Sequence, residues 1–196
     1  MRIRHHASLG LAATACLVLS GCTNAADWNA NRSSQIHSFD TSSIQAQPDI
    51  IAKLPQGALE DDVLDVAAST DYAPAEFLDP SGTAVGYDVD LTNAIAAVLG
   101  VKGKVHTAEF DSIIAGVGTT YDAGISSFTV TPERTAEVDM TAYINVGSRF
   151  NVQAGNPKGV EPSDHLQLCG RTIGVQVGTA QETTMRDAAD KCAQAG

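Results

Sequence analysis

The residues best suited to chemistry lie in one stretch, residues 126–134, which reads Ser-Ser-Phe-Thr-Val-Thr-Pro-Glu-Arg. A threonine N-cap followed by proline at the first helical position places Arg134 in a first helical turn. Its guanidinium group can hold a carboxylate through two parallel hydrogen bonds. Ser127 and Thr129 can offer hydroxyl or carbonyl oxygens to an ammonium group. Taken alone, however, an arginine near a helix start is more often a solvated surface residue.

The elements around this stretch follow an α/β pattern. Strands are predicted at residues 64–68, 84–87, 101–107 and 123–127. Helices are predicted after the N-caps Asp90 and Asp111, and Gly100 ends the first of them. Apolar residues at i, i+3, i+4 and i+7 predict one buried face on that helix: Leu91, Ala94, Ile95 and Val98. Arg134 would then follow the carboxyl end of a strand, where ligands bind in open α/β sheets.

A second α/β set is predicted after a linker rich in Gly, Pro and Asn at residues 151–162. It contains a strand at residues 172–177 and a helix that begins near Glu182. One strand and one helix cannot bury both faces of an α/β layer. We therefore expect a first lobe at residues 49–150 and only the start of a second lobe at residues 163–196, as if the chain were cut short.

The N-terminus is typical of an exported protein. Residues 1–21 combine basic residues, an apolar run and small residues, which predicts a secretory signal peptide. Leu19-Ser20-Gly21-Cys22 resembles the lipobox of bacterial lipoproteins, in which the cysteine is lipidated. Residues 22–48 are polar and without period, which predicts a lipidated flexible tether. We expect an extracytoplasmic protein anchored to the cell membrane through Cys22.

Two cysteines remain beyond Cys22, namely Cys169 and Cys192. In an oxidising compartment this pair predicts a disulfide, which would contribute about 3 kcal/mol to stability on the chain-entropy model. Two buried free thiols are the alternative. Neither cysteine has a neighbouring pattern typical of a nucleophile, and the histidines show no metal-ligand spacing. The sequence therefore predicts neither a metal site nor a cofactor.

Composition limits the classes of protein. The chain has 196 residues, 43% of them hydrophobic, so we expect a folded core. The net charge is −11, which makes nucleic acid a poor partner. No uncharged apolar run is long enough for a polytopic membrane protein.

Five motifs in order resemble the bacterial solute-binding proteins that deliver polar amino acids to ABC importers. They lie at residues 72–77, 85–91, 110–114, 126–134 and 174–182. The resemblance covers about residues 64–195 and implies a periplasmic-binding-protein-like fold of two α/β lobes, the first largely present and the second incomplete. It also implies closure of both lobes on the ligand, like a hinge.

The resemblance implies a ligand site without catalytic residues. Its members would be Tyr72, Phe110, Ser126, Ser127, Thr129, Arg134, Gln176, Thr179 and Ala180. Arg134 and the backbone N–H groups of Thr179 and Ala180 would hold the ligand carboxylate. Tyr72 and Phe110 would sandwich the ligand side chain, although each taken alone would more often be a core residue. Gln176 would help set specificity, although a strand residue there could equally be structural.

The expected partners are a free amino acid and an importer permease. Basic-amino-acid binders carry an acid where Ser69 stands, so a neutral or acidic amino acid is favoured. We expect a monomer that is not an enzyme. The alternatives are a periplasmic enzyme of the same fold, such as a dehydratase, and a sensory or structural surface lipoprotein.

Overall fold

The computed structural model describes residues 38–161 and 165–195. The predicted signal peptide, Cys22 and the tether up to residue 37 lie outside the described residues. Residues 38–48 differ from the predicted flexible tether, because they lie against the first lobe. The N–H of Phe39 donates to the Asp90 carboxylate at 2.9 Å, and the N–H of Gln47 donates to the Val98 carbonyl at 2.9 Å. None of the helices within the described ranges has the length and hydropathy to cross a bilayer.

Strands and helices alternate through the first lobe. In chain order they are α1 (Pro48–Ile51), β1 (Val63–Ala68), β2 (Asp71–Tyr72), β3 (Glu76–Leu78), β4 (Ala84–Val85), α2 (Tyr87–Leu99), β5 (Lys102–Thr107), α3 (Phe110–Gly116), β6 (Ala123–Gly124) and α4 (Pro132–Thr135). The strands β4 and β6 are shorter than predicted. Tyr87 already begins α2. Residues 125–131 form no strand, and Ser126, Ser127 and Thr129 among them line a cavity described below.

A parallel sheet with the order β5-β1-β6 forms the centre of the first lobe. Its middle strand, β1, is buried because it has a strand on either side and helices over the faces. Val66 and Ala67 in this strand are both 0% exposed. The core joins Leu64 and Val66 of β1 to Ala96 of α2. A separate antiparallel sheet, β2-β3-β4, lies beside the carboxyl end of β1.

Helix α2 ends as predicted but begins earlier and buries a different face. Gly100 ends it in the left-handed conformation, with φ of 73°. Asp90 is not its N-cap, since the helix begins at Tyr87. The fully buried positions are Asp88, Thr92 and Ala96, whereas the predicted core residue Ile95 is 37% exposed. Short side chains face β5 because the helix and strand approach closely: a Cβ at Gly103 would lie 3.3 Å from the Ala96 Cβ.

Helix α3 covers the sheet near β6 and also begins earlier than predicted. Glu109 occupies the N-cap position and Asp111 lies in the first turn, where a negative charge suits the helix dipole. Ile113 is fully buried against Gly124 of β6. A Cβ at Gly124 would lie 2.6 Å from the Ile113 Cγ2 atom, so glycine is required for this contact.

The second-lobe segment has less regular structure than predicted. It contains a 3₁₀ helix at His165–Leu168 and the helix α5 at Ala180–Ala195. Residues 172–177 do not form a strand, which corrects the prediction. Their pattern suits a strand, but a strand needs a partner ladder, and none of the described residues pairs with them. Helix α5 begins two residues before the predicted position.

Two features hold α5 in place. Thr179 is its N-cap, since the Thr179 hydroxyl oxygen accepts a hydrogen bond from the Glu182 N–H at 3.1 Å. Glu182 in turn accepts from the Gly178 N–H at 2.7 Å, in the manner of a capping box. At the other end, a disulfide joins Cys169 to Cys192, with a Cα–Cα distance of 5.6 Å. Residues 136–161, which include most of the predicted linker, contain no helix or strand.

Candidate functional site

Arg134 lies where the sequence predicted it, in the one-turn helix α4. Pro132 is the first residue of that helix, and the hydroxyl oxygen of Thr131 accepts from the Arg134 N–H at 3.3 Å. The guanidinium group connects the two regions of the molecule. Its Nη1 atom donates to the Thr129 carbonyl at 2.6 Å, and its Nη2 atom donates to the Gly178 carbonyl at 2.8 Å. A fork of donors is therefore aimed at the space between the regions.

Two phenylalanines form a platform for this guanidinium group. The rings of Phe110 and Phe128 stack with their centroids 4.4 Å apart. The Arg134 Cζ atom lies 5.6 Å from the Phe110 centroid and 5.2 Å from the Phe128 centroid, within cation–π range. Burial lowers the pKa of Arg134, which nonetheless stays protonated. Phe128 was not among the predicted site residues.

A cavity of about 490 Å³ opens beside Arg134. It contains all of the sequence-predicted ligand residues: Tyr72, Phe110, Ser126, Ser127, Thr129, Arg134, Gln176, Thr179 and Ala180. Further lining residues were not predicted to bind ligand: Ser69, Glu76, Val146, Gly147, Ser148, Arg149, Asn151, Gly174, Val175 and Gln181. The second group includes most of residues 146–151, an irregular segment without a motif that could have indicated it.

Side chains from the two regions also meet across this cavity. The Gln176 amide donates to the Ser69 hydroxyl at 3.1 Å, and the Gln181 amide donates to the Ser148 hydroxyl at 2.6 Å. Thr179 and Ala180 lie at the start of α5. Helix N-termini attract anions because their first N–H groups have no partner within the helix. The first turns of α4 and α5 thus border the same space.

A buried polar network supports the opposite wall. Glu76 is 0% exposed, and its Oε1 atom accepts a hydrogen bond from the Ser126 hydroxyl at 2.5 Å. The same hydroxyl accepts from the Ser69 N–H at 3.0 Å. Burial is the largest of the effects that raise the pKa of Glu76, to about 9, and the nearby Asp88 carboxyl group adds to it. Glu76 is therefore uncharged at neutral pH.

The second half of the network centres on Asp88. Its Oδ2 atom accepts from the Tyr143 hydroxyl at 2.8 Å and from the Ser127 hydroxyl at 3.2 Å. The Ser127 N–H donates to the Tyr143 oxygen at 3.0 Å. Burial raises the pKa of Tyr143 above its usual value, which keeps the phenol protonated. Ser127 has a φ of 49°, an uncommon conformation for serine that this network stabilises.

Gly86 sets the distance between β3 and α2 that the network requires. Its φ is 122°, and a Cβ at this position would lie 2.2 Å from the Ala75 carbonyl oxygen. Only glycine allows so close an approach. Because Glu76 follows Ala75 and Asp88 lies in the first turn of α2, the glycine brings the two carboxyl groups together.

The arrangement combines groups that suit an amphoteric ligand. A guanidinium group and the start of α5 offer donors to an anion, while serine and threonine oxygens offer acceptors to a cation. The residues described here include no cluster of metal-ligating side chains.

Comparison with known proteins identifies relatives of this chain. An arginine-binding protein, ArgT, of Corynebacterium glutamicum is 29% identical over 178 residues, covering 90% of this chain and 56% of the relative. Other relatives have names that state arginine, lysine and ornithine, or cystine as the ligand. The chain spans about half the length of the curated relatives that it matches.

Solved structures of the same kind share the fold. An ancestral amino acid-binding protein, a precursor of cyclohexadienyl dehydratase, matches with a TM-score of 0.62 and 31% identity, covering 68% of this chain and 60% of that one. Holo ArgBP from T. maritima matches with a TM-score of 0.58 and 30% identity, covering 72% and 59%. These matches confirm the expected periplasmic-binding-protein-like α/β fold.

The family model agrees with these relatives. The model for bacterial extracellular solute-binding proteins, family 3, matches residues 64–195, nearly the range that the sequence motifs indicated. This is a family of solute-binding proteins that act outside the cytoplasm. The chain belongs to family 3 of the bacterial extracellular solute-binding proteins.

Proposed function

We propose that this protein captures a polar amino acid outside the cell membrane and delivers it to an ABC import permease. The observation that carries the proposal is the position of Arg134, which lies beside a cavity lined from both regions. Its guanidinium group would release the Thr129 and Gly178 carbonyls and hold the ligand carboxylate instead. Each charge-assisted hydrogen bond gained would contribute roughly 1.5–3 kcal/mol.

The other predicted site residues take their roles in the same proposal. Thr179 and Ala180 would add backbone donors to the carboxylate at the start of α5. Ser126, Ser127 and Thr129 would accept hydrogen bonds from the ammonium group. Tyr72 and Gln176 would contact the ligand side chain. Phe110 would combine that contact with its support of Arg134, which the sequence did not indicate.

The charge of the ligand side chain is the open choice within this proposal. Relatives named for arginine and lysine point to a basic amino acid and give no support to the neutral or acidic ligand expected from Ser69. The cavity lining points the other way, because it contains Arg134 and Arg149 and its acid, Glu76, is held uncharged. We propose that the charge of the cavity lining sets the preference for the ligand, and that an amino acid with a basic side chain binds less tightly than one with a neutral or acidic side chain.

Attachment to the membrane through a lipidated Cys22 belongs to the same proposal. A diacyl anchor would keep the protein close to its permease. Metabolic labelling with a fatty acid should label the wild-type protein and not a Cys22→Ala variant. Equal labelling of both proteins would contradict the anchor.

Calorimetric titration with a panel of amino acids tests the proposed function. It uses the chain from residue 23 onward and, because the relatives are longer, a form extended to their length. We expect micromolar binding, or about −8 kcal/mol. Binding to the extended form alone would assign part of the site to residues outside this chain. No binding of any amino acid to either folded form would contradict the proposal.

A further inference from the structure

Two fully buried carboxyl groups lie under the cavity wall. Glu76 in β3 is 0% exposed and Asp88 in α2 is 1% exposed. Each has one oxygen that accepts from a side-chain hydroxyl: Glu76 Oε1 from Ser126, and Asp88 Oδ2 from Ser127 and Tyr143. The remaining oxygens, Glu76 Oε2 and Asp88 Oδ1, have no donor among the described residues. The Asp88 carboxyl group is also among the groups that raise the pKa of Glu76. Because carboxylate oxygens can only accept, a proton held between the two carboxyl groups would give both of these oxygens a partner.

The charges around the pair favour one retained proton. Asp71 in β2 adds negative charge from the third side, and Tyr143 faces the pair as a neutral phenol. Arg134 borders the same cavity but is bonded to the Thr129 and Gly178 carbonyls. Within the described part of the chain, neither carboxyl group has a salt-bridge partner. Two unpaired buried carboxylates in contact would repel each other strongly, and one shared proton removes that cost.

The pair also fixes the direction of two hydroxyl groups. Ser126 donates its only hydroxyl hydrogen to Glu76, and Ser127 donates its own to Asp88. Neither serine therefore has a hydrogen left to offer to the cavity that both residues line. The Ser126 oxygen, which also accepts from the Ser69 N–H, keeps one lone pair, and the Ser127 oxygen can likewise accept. A hydroxyl group held in this way can act only as an acceptor.

We propose that Glu76 and Asp88 share one proton and act as positioning residues, which hold Ser126 and Ser127 as acceptors for the ammonium group of the ligand. The ammonium part of this proposal rests on the proposed function. The shared proton does not, since it follows from the contacts of the pair itself. The two parts are therefore tested separately.

Infrared difference spectroscopy tests the shared proton. The wild-type chain at pH 7 should show the carbonyl band of a protonated carboxyl group. Glu76→Gln should abolish the band, because it removes the carboxyl group whose pKa is raised. Asp88→Asn should shift the frequency of the band, because the proton then has no second carboxyl group to share it. An unchanged frequency in Asp88→Asn would show that Glu76 is protonated by burial alone, which would overturn the shared proton.

Unfolding at several pH values provides a second test. The pKa of Glu76 is raised from 4.5 to about 9 in the folded protein. The native state therefore retains a proton that the unfolded state releases between these values. This contribution to stability is complete below about pH 4.5 and is lost as the pH rises towards 9. Glu76→Gln should flatten the decline, and an unchanged decline would contradict the proposal.

The positioning role is tested by comparing the binding of the preferred amino acid with that of its desamino analogue. We expect Glu76→Gln to bind the preferred amino acid as the wild type does. Glu76→Leu should lose about tenfold in affinity for the amino acid, within the contribution of a charged hydrogen bond. It should lose nothing for the desamino analogue, the same molecule without its ammonium group. Equal losses for both molecules would overturn the role. Glu76→Gln covers the case in which Glu76→Leu does not fold. A Glu76→Gln protein that loses affinity for the amino acid but not for the desamino analogue would also overturn the positioning role.

Discussion

The first lobe and the second-lobe segment are held together by different means. The first lobe has a buried parallel strand, β1, with strands on both sides and helices over its faces. The second-lobe segment has one long helix, α5, attached through its cap and a disulfide, and its buried apolar residues are Leu168 and Ala188. The first lobe is thus stabilised by burial of apolar surface, and the segment mainly by covalent and local contacts.

The two regions meet through polar contacts around the cavity. Arg134 reaches the Gly178 carbonyl, and Gln176 reaches Ser69. Such contacts can exchange partners with a ligand at small cost, whereas a packed apolar interface cannot. The comparison therefore predicts that the regions unfold separately while binding depends on both.

Ile113→Ala should give the largest effect and should act on the first lobe alone. Ile113 is 0% exposed between α3 and β6, so its truncation leaves a cavity and should cost about 2–5 kcal/mol of unfolding free energy. Denaturant titration measures this loss. Ile95→Ala in α2, at a 37% exposed position, is the control and should cost far less. If hydrogen exchange in α5 accelerates together with that in β1, the two regions unfold as one unit.

Replacement of both Cys169 and Cys192 by serine should act on the second-lobe segment alone. The disulfide closes a loop with a sequence separation of 23 residues. Its removal should cost the segment about 3 kcal/mol by the chain-entropy model. Hydrogen exchange should show loss of protection in α5 and unchanged protection in β1. A shift of the first-lobe denaturation midpoint would contradict the separation of the two regions.

The same contrast explains what the sequence could predict. The strands β1 and β5 follow from their residues because their partners lie within the chain. Residues 172–177 have an equally suitable pattern but form no strand, because β-structure depends on neighbours that a local pattern does not contain. The buried face of α2 was mispredicted for a related reason: its hydrophobic period does not reveal that Asp88 is drawn into a polar network.

The sequence predicted more of the candidate site than of the fold around it. Family motifs indicated residues that prove to line one cavity, including Arg134 and Gln176 at a distance along the chain. The motifs did not indicate which other side chains hold those residues in position. Phe128 and Glu76 lie within recognised motifs, but their roles depend on a ring stack and a buried carboxyl pair. Neither can be read from residue types and spacing.

Arg134→Lys tests the link between the regions and should rank next in effect. Lysine keeps the positive charge but loses the planar fork, so one of two parallel hydrogen bonds to the ligand carboxylate is lost. Binding of every amino acid in the panel should weaken by roughly 1.5–3 kcal/mol, as measured by calorimetry. Arg149→Lys, at an exposed position of the same cavity wall, is the matched control. Unchanged affinity in Arg134→Lys would refute the role proposed for this residue.

Substitutions at the two helix N-caps should give the smallest effects, and they compare equivalent changes in the two regions. Thr131 caps α4, which carries Arg134, and Thr179 caps α5, which borders the other side of the cavity. Replacement of either by alanine removes one accepted N–H bond and should cost about 1 kcal/mol. Because α4 is a single turn without buried residues and has few amides to protect, Thr131→Ala should reduce amino-acid affinity with little change in local hydrogen exchange. Helix α5 depends more on local contacts, so Thr179→Ala should also increase exchange in its first turns. Equal exchange in both variants would mean that the disulfide alone orders α5, and the contrast between the regions would then rest on Cys169 and Cys192.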